Sequence, residues 1–261
     1  MSQASRWRLA ELLEAETVDL AEANLMIACE ASDGIDLDTA MATVEGLAAS
    51  ARLGEGVVPT LREYGLRGDP DDYDDPRNSF VHEVLQRKRG LPIALATVAL
   101  AVADRVGAPL VGVGLPGHFA IADRSGADAV VIDPFNGWAR LDMADCARLV
   151  ERAAGIPFRL EHLDPVGPRE ILARTLRNLR GSYMRRRRLD QALWTVELGL
   201  IVAPDDAELV RAAISLLAAT GRYAEAEATA AAFLAARPDH PGAPAVEEQV
   251  RTVRDLRWRM N

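Results

Sequence analysis

The chain has 261 residues, 49% of them hydrophobic, and a formal net charge of −9 at pH 7. This apolar content is ample for one large core or two ordinary ones. The negative charge disfavours broad binding to nucleic acid or to an anionic membrane. Two cysteines, Cys29 and Cys146, lie far apart and in no pair motif, so neither a disulfide framework nor a zinc site is expected.

The N-terminal segment and the apolar runs indicate neither export nor membrane insertion. The first residues lack the apolar core and the cleavage site of a signal peptide. The longest apolar run, Leu91 to Ala103, has thirteen residues, whereas a membrane-spanning helix needs about 20. We therefore expect a cytoplasmic protein in which this run forms a buried helix.

The first third of the chain has the spacing of helices. Over residues 6–67 apolar residues recur at helical intervals, and Asp36 or Asp38 is placed to cap one of the helices. The segment 68–78 is acidic and rich in turn residues, but it lacks the glycine and the glutamate of a calcium loop. His82 and its glutamate neighbour lack the second histidine of a zinc motif, so no metal site is predicted.

Two further helices precede the region of strands. Asp75 is placed to cap the first of them, with a proline in its first turn, and Gly90 is placed to close it. The second begins with Pro92 in its first turn and runs to about Val106. Its first turns contain no cysteine, serine or threonine before Thr97.

The middle of the chain predicts a small antiparallel sheet. Three short apolar runs are separated by turn residues: 109–115, 118–123 and 129–134. A two-residue turn at Ser125-Gly126 would place His118 opposite Asp133, with Cβ atoms about 4.5–5.5 Å apart. An imidazole and a carboxylate at that separation either form the base and orienting acid of a catalytic triad or brace the end of a strand.

The last third of the chain predicts helical repeats after a linker at 161–168. Residues 188–206 superpose on residues 222–240 with a shift of 34, which places Ala192 on Ala226 and a proline on a proline. This period, with a small residue inside the second helix and a proline at its end, is the signature of the tetratricopeptide (TPR) repeat. Two repeats and a final helix would form a short solenoid.

Arginines are concentrated at the start of this repeat region. Residues 169–188 contain eight arginines and one acidic residue, Glu170. One interpretation is a solvated face or a docking surface for the acidic first domain. The other is a groove for an acidic peptide or a C-terminal carboxylate, with Arg177 and Arg180 as binding candidates.

Three motifs together resemble one family. The chain is similar to the bacterial SirB-type family, a transglutaminase-like (papain-related) domain followed by TPR-like repeats, over about residues 20 to 240. The motifs that carry the resemblance are DPRNSFVHEVLQRKRGLPIAL, GVGLPGHFAIA and VIDPFNGW. The resemblance implies an α+β fold, in which a papain-like core packs a helix on a small antiparallel sheet. A helical N-terminal part would precede this core, and an all-α repeat region would follow it.

The resemblance assigns two members of a catalytic triad and finds the third replaced. His118 and Asp133 occupy the superfamily's histidine and aspartate positions, whereas Pro92 stands where active relatives have the nucleophilic cysteine. Many SirB-type relatives have a serine two residues later, where this chain has Ala94. Further binding candidates lie within the shared motifs: Asn78, Gly117, Asn136 and Trp138.

These observations lead to one principal hypothesis and two alternatives. We expect residues 1–164 to form the helical part and the transglutaminase-like domain, and residues 165–261 the repeats with a capping helix. The principal hypothesis is a catalytically inactive protein-interaction or regulatory module without a cofactor, whose repeats bind another protein or peptide. The alternatives are an acyl transferase or amide hydrolase that uses Cys29 or Cys146, and a protein that binds a small ligand in the His118/Asp133 cleft.

Overall fold

The structure is a computed structural model that describes residues 3–32 and 34–260. The chain forms two compact units, Met1–Thr175 and Leu176–Asn261. The division falls inside one continuous helix, Pro168–Arg185, whereas the boundary expected from the sequence falls just before that helix.

Helices make up most of the first unit, as the apolar spacing of residues 6–67 predicts. Those within the unit are α1 (Gln3–Glu14), α2 (Leu20–Ala31), α3 (Leu37–Leu53), α4 (Val57–Tyr64), α5 (Val81–Arg87), α6 (Pro92–Val106) and α7 (Met143–Ala154). Asp19 caps α2 and Asp36 caps α3 through bonds from their side chains to backbone N–H groups. Short 3-10 helices span Pro76–Ser79 and Leu160–Leu163.

Helix α6 lies at the centre of the first unit. Every residue from Pro92 to Ala103 is buried, which confirms the expectation of an interior helix. Proline at its first position has the φ of a helix already, and Gly107 ends the helix in the left-handed conformation, with φ of 68°. The helix contacts α2, α3, α4 and α5, and it also contacts strands of the main sheet.

The main sheet is antiparallel and has five strands in the order β6-β5-β4-β3-β7. Its strands are β3 (Leu110–Val113), β4 (Ala120–Asp123), β5 (Val130–Asp133), β6 (Ala139–Leu141) and β7 (Pro165–Val166). Two residues of β1 (Arg67–Gly68) pair in parallel with two of β2 (Arg89–Gly90). Helix α7 covers the main sheet through Cys146 and Val150, which pack with Val113, Ala120 and Val131.

The predicted hairpin turn and register are wrong. Asp123 pairs with Val130, so residues 124–129 form a loop instead of a two-residue turn. The cause is local: the backbone N–H of Ser125 donates to the Asp123 carboxylate at 2.9 Å, which turns the chain directly after β4. Every predicted partner is therefore displaced by two residues. Since side chains alternate with a period of two, this displacement leaves each residue on its predicted face.

Two other local predictions are also wrong. The helix expected from Asp75 to Gly90 is interrupted at Phe80, which is extended between the 3-10 helix and α5, and Lys88 forms its left-handed end. The segment 161–168 is not a plain linker, because β7 lies within it and pairs with β3. A proline is tolerated in β7 because the strand lies at the edge of the sheet.

The second unit is helical, and α9 to α12, whose bounds follow, pack in sequence against one another. After the C-terminal half of α8 (Pro168–Arg185) come α9 (Leu189–Val202), α10 (Ala207–Ala219), α11 (Tyr223–Ala236) and α12 (Ala243–Met260). Both ends of α9 and α11 are offset by 34 residues, as the sequence period predicts. Ala192 and Ala226 are fully buried, which lets neighbouring helices approach closely. Tyr183 packs edge-on against Trp194, with ring centroids 5.7 Å apart.

Candidate active site

The side chains of His118 and Asp133 form a hydrogen-bonded pair at one end of the sheet. Nε2 of His118 lies 2.9 Å from Oδ1 of Asp133, and the carboxylate is 1% exposed. The backbone N–H of Phe135 donates to the same oxygen at 2.9 Å. Nδ2 of Asn136 donates to the other oxygen at 2.5 Å. The carboxylate is thus held from three directions.

The Asp133 carboxyl is ionised at neutral pH. Burial raises its pKa, but the hydrogen bond and the charge of His118 lower it, as do the bonds from Asn136 and from the N–H of Phe135. The net result is a pKa below the ordinary value of 3.8. An ionised carboxylate accepts, so Nε2 of His118 carries the proton. Nδ1 has no hydrogen-bond partner among residues 3–32 and 34–260, and it is the acceptor of the neutral ring.

The turn before His118 is fixed by a glycine and an arginine. Gly117 has φ of 74°, and a Cβ there would lie 2.8 Å from the backbone of Ala153 in α7. The N–H of His118 donates to the carbonyl of Leu115 at 3.0 Å. Arg174 donates to the carbonyls of Leu115 and of His118 itself. These contacts set the position of the imidazole from outside the sheet.

The loop after Asp133 is fixed by packing on β1. The carbonyl of Phe135 accepts from the N–H of Gly68 at 3.2 Å, and a Cβ at Gly68 would lie 2.5 Å from that oxygen. Nε1 of Trp138 donates to the carbonyl of Leu66 at 2.8 Å. The Phe135 ring contacts His118 on one side and Tyr73 on another, with centroid distances of 6.4 Å and 5.6 Å.

Two protein-family models match consecutive parts of the chain. A family model described as "Transglutaminase-like superfamily" matches residues 42–177, just over half of the chain. The chain belongs to the transglutaminase-like superfamily. A second model, described as "Tetratricopeptide repeat", matches residues 179–251. The predicted order of a transglutaminase-like domain followed by TPR-like repeats is therefore confirmed.

The similar proteins are bacterial and animal. A UPF0162 protein of Xylella fastidiosa (strain 9a5c) is 36% identical over 156 residues, 58% of this chain and 56% of the relative. A UPF0162 protein of Pseudomonas aeruginosa is 34% identical over 170 residues, 63% of this chain and 62% of the relative. F-box only protein 21 of Mus musculus is 29% identical over 157 residues, 56% of this chain and 24% of the relative. No solved structure matches the chain.

The start of α6 in this transglutaminase-like domain carries no thiol or hydroxyl. Pro92 is its first residue and is buried, and no side chain caps the helix. The N–H of Leu91, just before it, donates to the carbonyl of Asn78 at 2.8 Å. Further along the helix, Thr97 is fully buried and its hydroxyl donates to the carbonyl of Ile93 at 2.9 Å. The hydroxyl of Thr97 is thus engaged inside the core.

Both cysteines of the transglutaminase-like domain are poor nucleophiles. Burial raises the pKa of Cys146, and the charges of Asp145 and Asp142 raise it further. The thiol is fully buried between α7 and the sheet. Burial also raises the pKa of Cys29, with a contribution from Glu30. Both thiols are therefore protonated at neutral pH, which is the unreactive form.

The remaining candidates of the transglutaminase-like domain differ in exposure and in hydrogen-bond partners. Asn136 is exposed and bonds directly to Asp133. Asn78 is fully buried, and its amide donates to the carbonyl of Asp72 and accepts from Arg87, so its polar atoms hold the scaffold. Trp138 is also buried, and its indole N–H donates to the carbonyl of Leu66, just before β1.

The arginine candidates belong to the second unit. Arg177 is exposed, whereas Arg180 is half-buried.

Sequence reasoning missed Phe135 and Arg174, which touch His118. The position of Phe135 directly after the Asp-Pro of the third motif could have indicated it. Nothing in the sequence indicated Arg174, because its contact joins residues 56 apart.

Within residues 3–32 and 34–260, no three histidine, cysteine, aspartate or glutamate side chains come together as metal ligands would. In the same ranges, every helix is too short or too polar to cross a bilayer.

Proposed function

We propose that this protein is a catalytically inactive transglutaminase-like protein that acts as a protein-interaction or regulatory module. The observation that carries the proposal is Pro92 at the first position of α6, where the resemblance puts the nucleophilic cysteine. Proline has no side-chain group that could attack a carbonyl, so the His118/Asp133 pair has no nucleophile to activate. The repeats supply a surface of the kind that solenoids use to bind proteins.

The state of the two thiols supports this proposal. A displaced cysteine would need to be a thiolate and to approach the imidazole to about 3 Å. Cys146 is fully buried, and the pKa values of both Cys146 and Cys29 are raised. A retained His118/Asp133 pair then braces the turn and the loop at this end of the sheet, as its contacts with Phe135 and Arg174 indicate.

The test compares the wild type with His118→Ala in two assays. One follows the hydrolysis of activated esters, and the other the transfer of a fluorescent amine to a glutamine-containing peptide, with an active cysteine transglutaminase as the assay control. We expect the wild type and His118→Ala to give the same background rates. A rate above background that disappears in a folded His118→Ala protein would contradict the proposal, as would rapid labelling of Cys29 or Cys146 by iodoacetamide at pH 7.

One observation favours a second function, the binding of a small ligand without chemistry. Nε2 of His118 is bonded to Asp133, whereas Nδ1 has no hydrogen-bond partner among the described residues. A ligand with a hydroxyl or amide N–H could donate to it. Thermal-shift screening of the wild type and Asp133→Asn would test this function. A ligand that stabilises the wild type and has no effect on Asp133→Asn supports binding at the pair, and equal shifts in both proteins exclude it.

A further inference from the structure

We propose that a cavity between α3, α4 and α5 binds an alkylguanidinium, that is, a guanidinium group on a short aliphatic chain. The described residues that line this cavity include neither His118 nor Asp133, so it is a second site of the first unit. The inference therefore goes beyond the proposed function. It depends on the volume of the cavity, on the charge of its wall and on the directions in which the hydroxyl groups of the wall donate.

The cavity is large enough for a small molecule and is formed by packed helices. Its volume is about 500 Å³, which lies within the range of about 300–1,000 Å³ found for ligand pockets. Residues of α3 and α5 line it, together with Tyr64, the last residue of α4. Oη of Tyr64 donates to the carbonyl of Leu85 on α5 at 3.3 Å. Because α3 also contacts both α4 and α5, the wall is in place before a ligand binds.

The wall of the cavity carries a negative charge. Among the described residues that line it, Asp36 alone is charged at neutral pH. Bonds from the hydroxyl and the backbone N–H of Thr39 lower the pKa of Asp36, so its carboxyl is ionised. His82 also lines the cavity, and burial lowers its pKa, so its imidazole is neutral at pH 7. A cation is therefore the ligand that this wall favours.

Three hydroxyl groups of the wall have already donated their protons to the protein. Oγ1 of Thr39 donates to the Asp36 carboxylate at 2.6 Å, and Oγ1 of Thr43 donates to the carbonyl of Thr39 at 2.8 Å. The hydroxyl of Tyr64 is the third, through its bond to α5. A hydroxyl has one proton and two lone pairs, so these oxygens can only accept from a ligand. The ligand must therefore supply several donors.

The spacing of these acceptors favours a guanidinium over an ammonium. Asp36 caps α3, and Thr39 and Thr43 follow it at intervals of three and four residues, so the three lie on one face. Side chains at such intervals are about 5–6 Å apart at Cβ. An ammonium donates from a single nitrogen. A guanidinium donates from three nitrogens in one plane, so it can bond to Asp36 and still reach a neighbouring hydroxyl oxygen.

The apolar part of the wall fits the aliphatic chain of the ligand. Ile35, Ala40 and Leu85 all contribute to the lining. The ring of Tyr64 already engages a cation, because Nζ of Lys88 lies 4.3 Å from its centroid. Recognition of the ligand's charge therefore depends on Asp36. A free alkylguanidinium and an arginine side chain of another protein have the same chemistry, and the experiment distinguishes these two sources.

The experiment is a titration of the ¹⁵N-labelled full chain with propylguanidinium, followed by the NMR chemical shifts of its backbone amides. Propylammonium is the matched ligand with the same charge on one nitrogen, and propylurea is the matched neutral ligand. We expect saturable shifts centred on residues 35–43 and 82–86. Binding should be at least fivefold weaker for propylammonium and at least tenfold weaker for propylurea.

Two variants test the wall of the cavity. Asp36→Asn removes the charge but keeps a residue that caps helices well, and it should weaken binding of propylguanidinium at least tenfold. Thr43→Val replaces an accepting hydroxyl by a methyl group of similar size, and it should weaken binding at least threefold. Asp206→Asn is the matched control, since Asp206 also caps a helix, α10, and is not among the described lining residues. It should bind as the wild type does.

Nα-acetylarginine methylamide identifies the source of the guanidinium. Binding as tight as that of propylguanidinium supports the site with an arginine side chain of a partner as its ligand. Binding of propylguanidinium alone supports the site with a free small molecule as its ligand. Circular dichroism of each variant would confirm that it is folded.

Three outcomes would overturn the inference. They are equal binding of propylguanidinium and propylurea, tighter binding of propylammonium than of propylguanidinium, and equal losses in Asp36→Asn and Asp206→Asn. None of them affects the proposed inactivity of the transglutaminase-like domain, since that is decided by the His118→Ala assays. Conversely, His118-dependent activity would leave a positive result at this cavity intact.

Discussion

His118 and Asp133 are joined by a 2.9 Å hydrogen bond although they do not face each other across the hairpin. The observed register pairs Ile121 with Ile132, and its continuation puts Asp133 opposite Ala120. His118 is the diagonal neighbour on the same face, two residues earlier. Such neighbours have Cα atoms about 7–8 Å apart, which a histidine and an aspartate can span together. The Gly117 turn supplies the remaining adjustment.

Asp133→Asn tests the electrostatic part of this pair. We expect a loss of about 2 kcal/mol of unfolding free energy at pH 7, because hydrogen bonds to a buried charge are lost and one amide N–H faces the Asn136 amide. The pKa of Asp133 is lowered in the folded state, so its contribution is present above about pH 3.8 and is lost as the pH falls further.

Urea unfolding of both proteins from pH 7 to pH 3 measures this difference, which should shrink below about pH 4. Asp123→Asn is the control, since this half-buried carboxylate at the other end of β4 accepts one backbone bond. Equal losses in the two variants would contradict a special contribution from the buried pair.

Gly117→Ala tests how the turn before His118 is held. We expect a loss of roughly 2–4 kcal/mol, because alanine is disfavoured at φ of 74° and its Cβ would overlap the backbone of Ala153. Gly137→Ala separates the two causes: φ is 67° there, but nothing lies within 4 Å of an added Cβ. It should cost only about 1–2 kcal/mol. Thermal or urea unfolding that gave equal costs would refute the close contact with α7.

Pro92→Cys tests whether the first turn of α6 still has the environment of a nucleophile. The N-terminus of a helix lowers the pKa of a thiol, and the resemblance puts this position beside the histidine. We expect iodoacetamide at pH 7 to label the variant at least tenfold faster than the wild type, and His118→Ala to slow this labelling.

Thr97→Cys serves as the control for labelling because it lies deeper in α6 and is fully buried. Mass spectrometry of tryptic peptides identifies the labelled site. Labelling of Pro92→Cys that is no faster than that of Thr97→Cys, or that is unaffected by His118→Ala, would show that position 92 is not coupled to the histidine.

His82→Gln tests an acid-sensitive position outside the His118 pair. Burial lowers the pKa of His82 below 6.5, and its Nδ1 is buried without a hydrogen-bond partner. The unfolded chain therefore takes up a proton first as the pH falls below 6.5, and stability is lost there. Urea unfolding at pH 7.5 and pH 5 should show a larger loss for the wild type than for the variant. Identical pH dependence in both would contradict a neutral His82 with a buried Nδ1.

The sequence by itself determined the main helices and the three central strands, in their order along the chain. The apolar run from Leu91 to Ala103 predicts a buried helix, and the 34-residue shift from Ala192 to Ala226 predicts the repeated helices. Periodicity and caps act within a few residues, so one sequence is enough to read them. The face on which His118 and Asp133 lie was also predictable, because an error of two residues in register leaves faces unchanged.

Only the tertiary structure decided how the candidate site is held. Arg174 bonds to the carbonyl of His118, Trp138 bonds to Leu66, and Gly117 contacts Ala153, all between residues far apart in the chain. It also showed that the candidate Asn78 is part of the scaffold, with its amide already bonded. Such contacts depend on how separate elements pack, and packing depends on the summed fit of many side chains. No local pattern in the sequence records that fit.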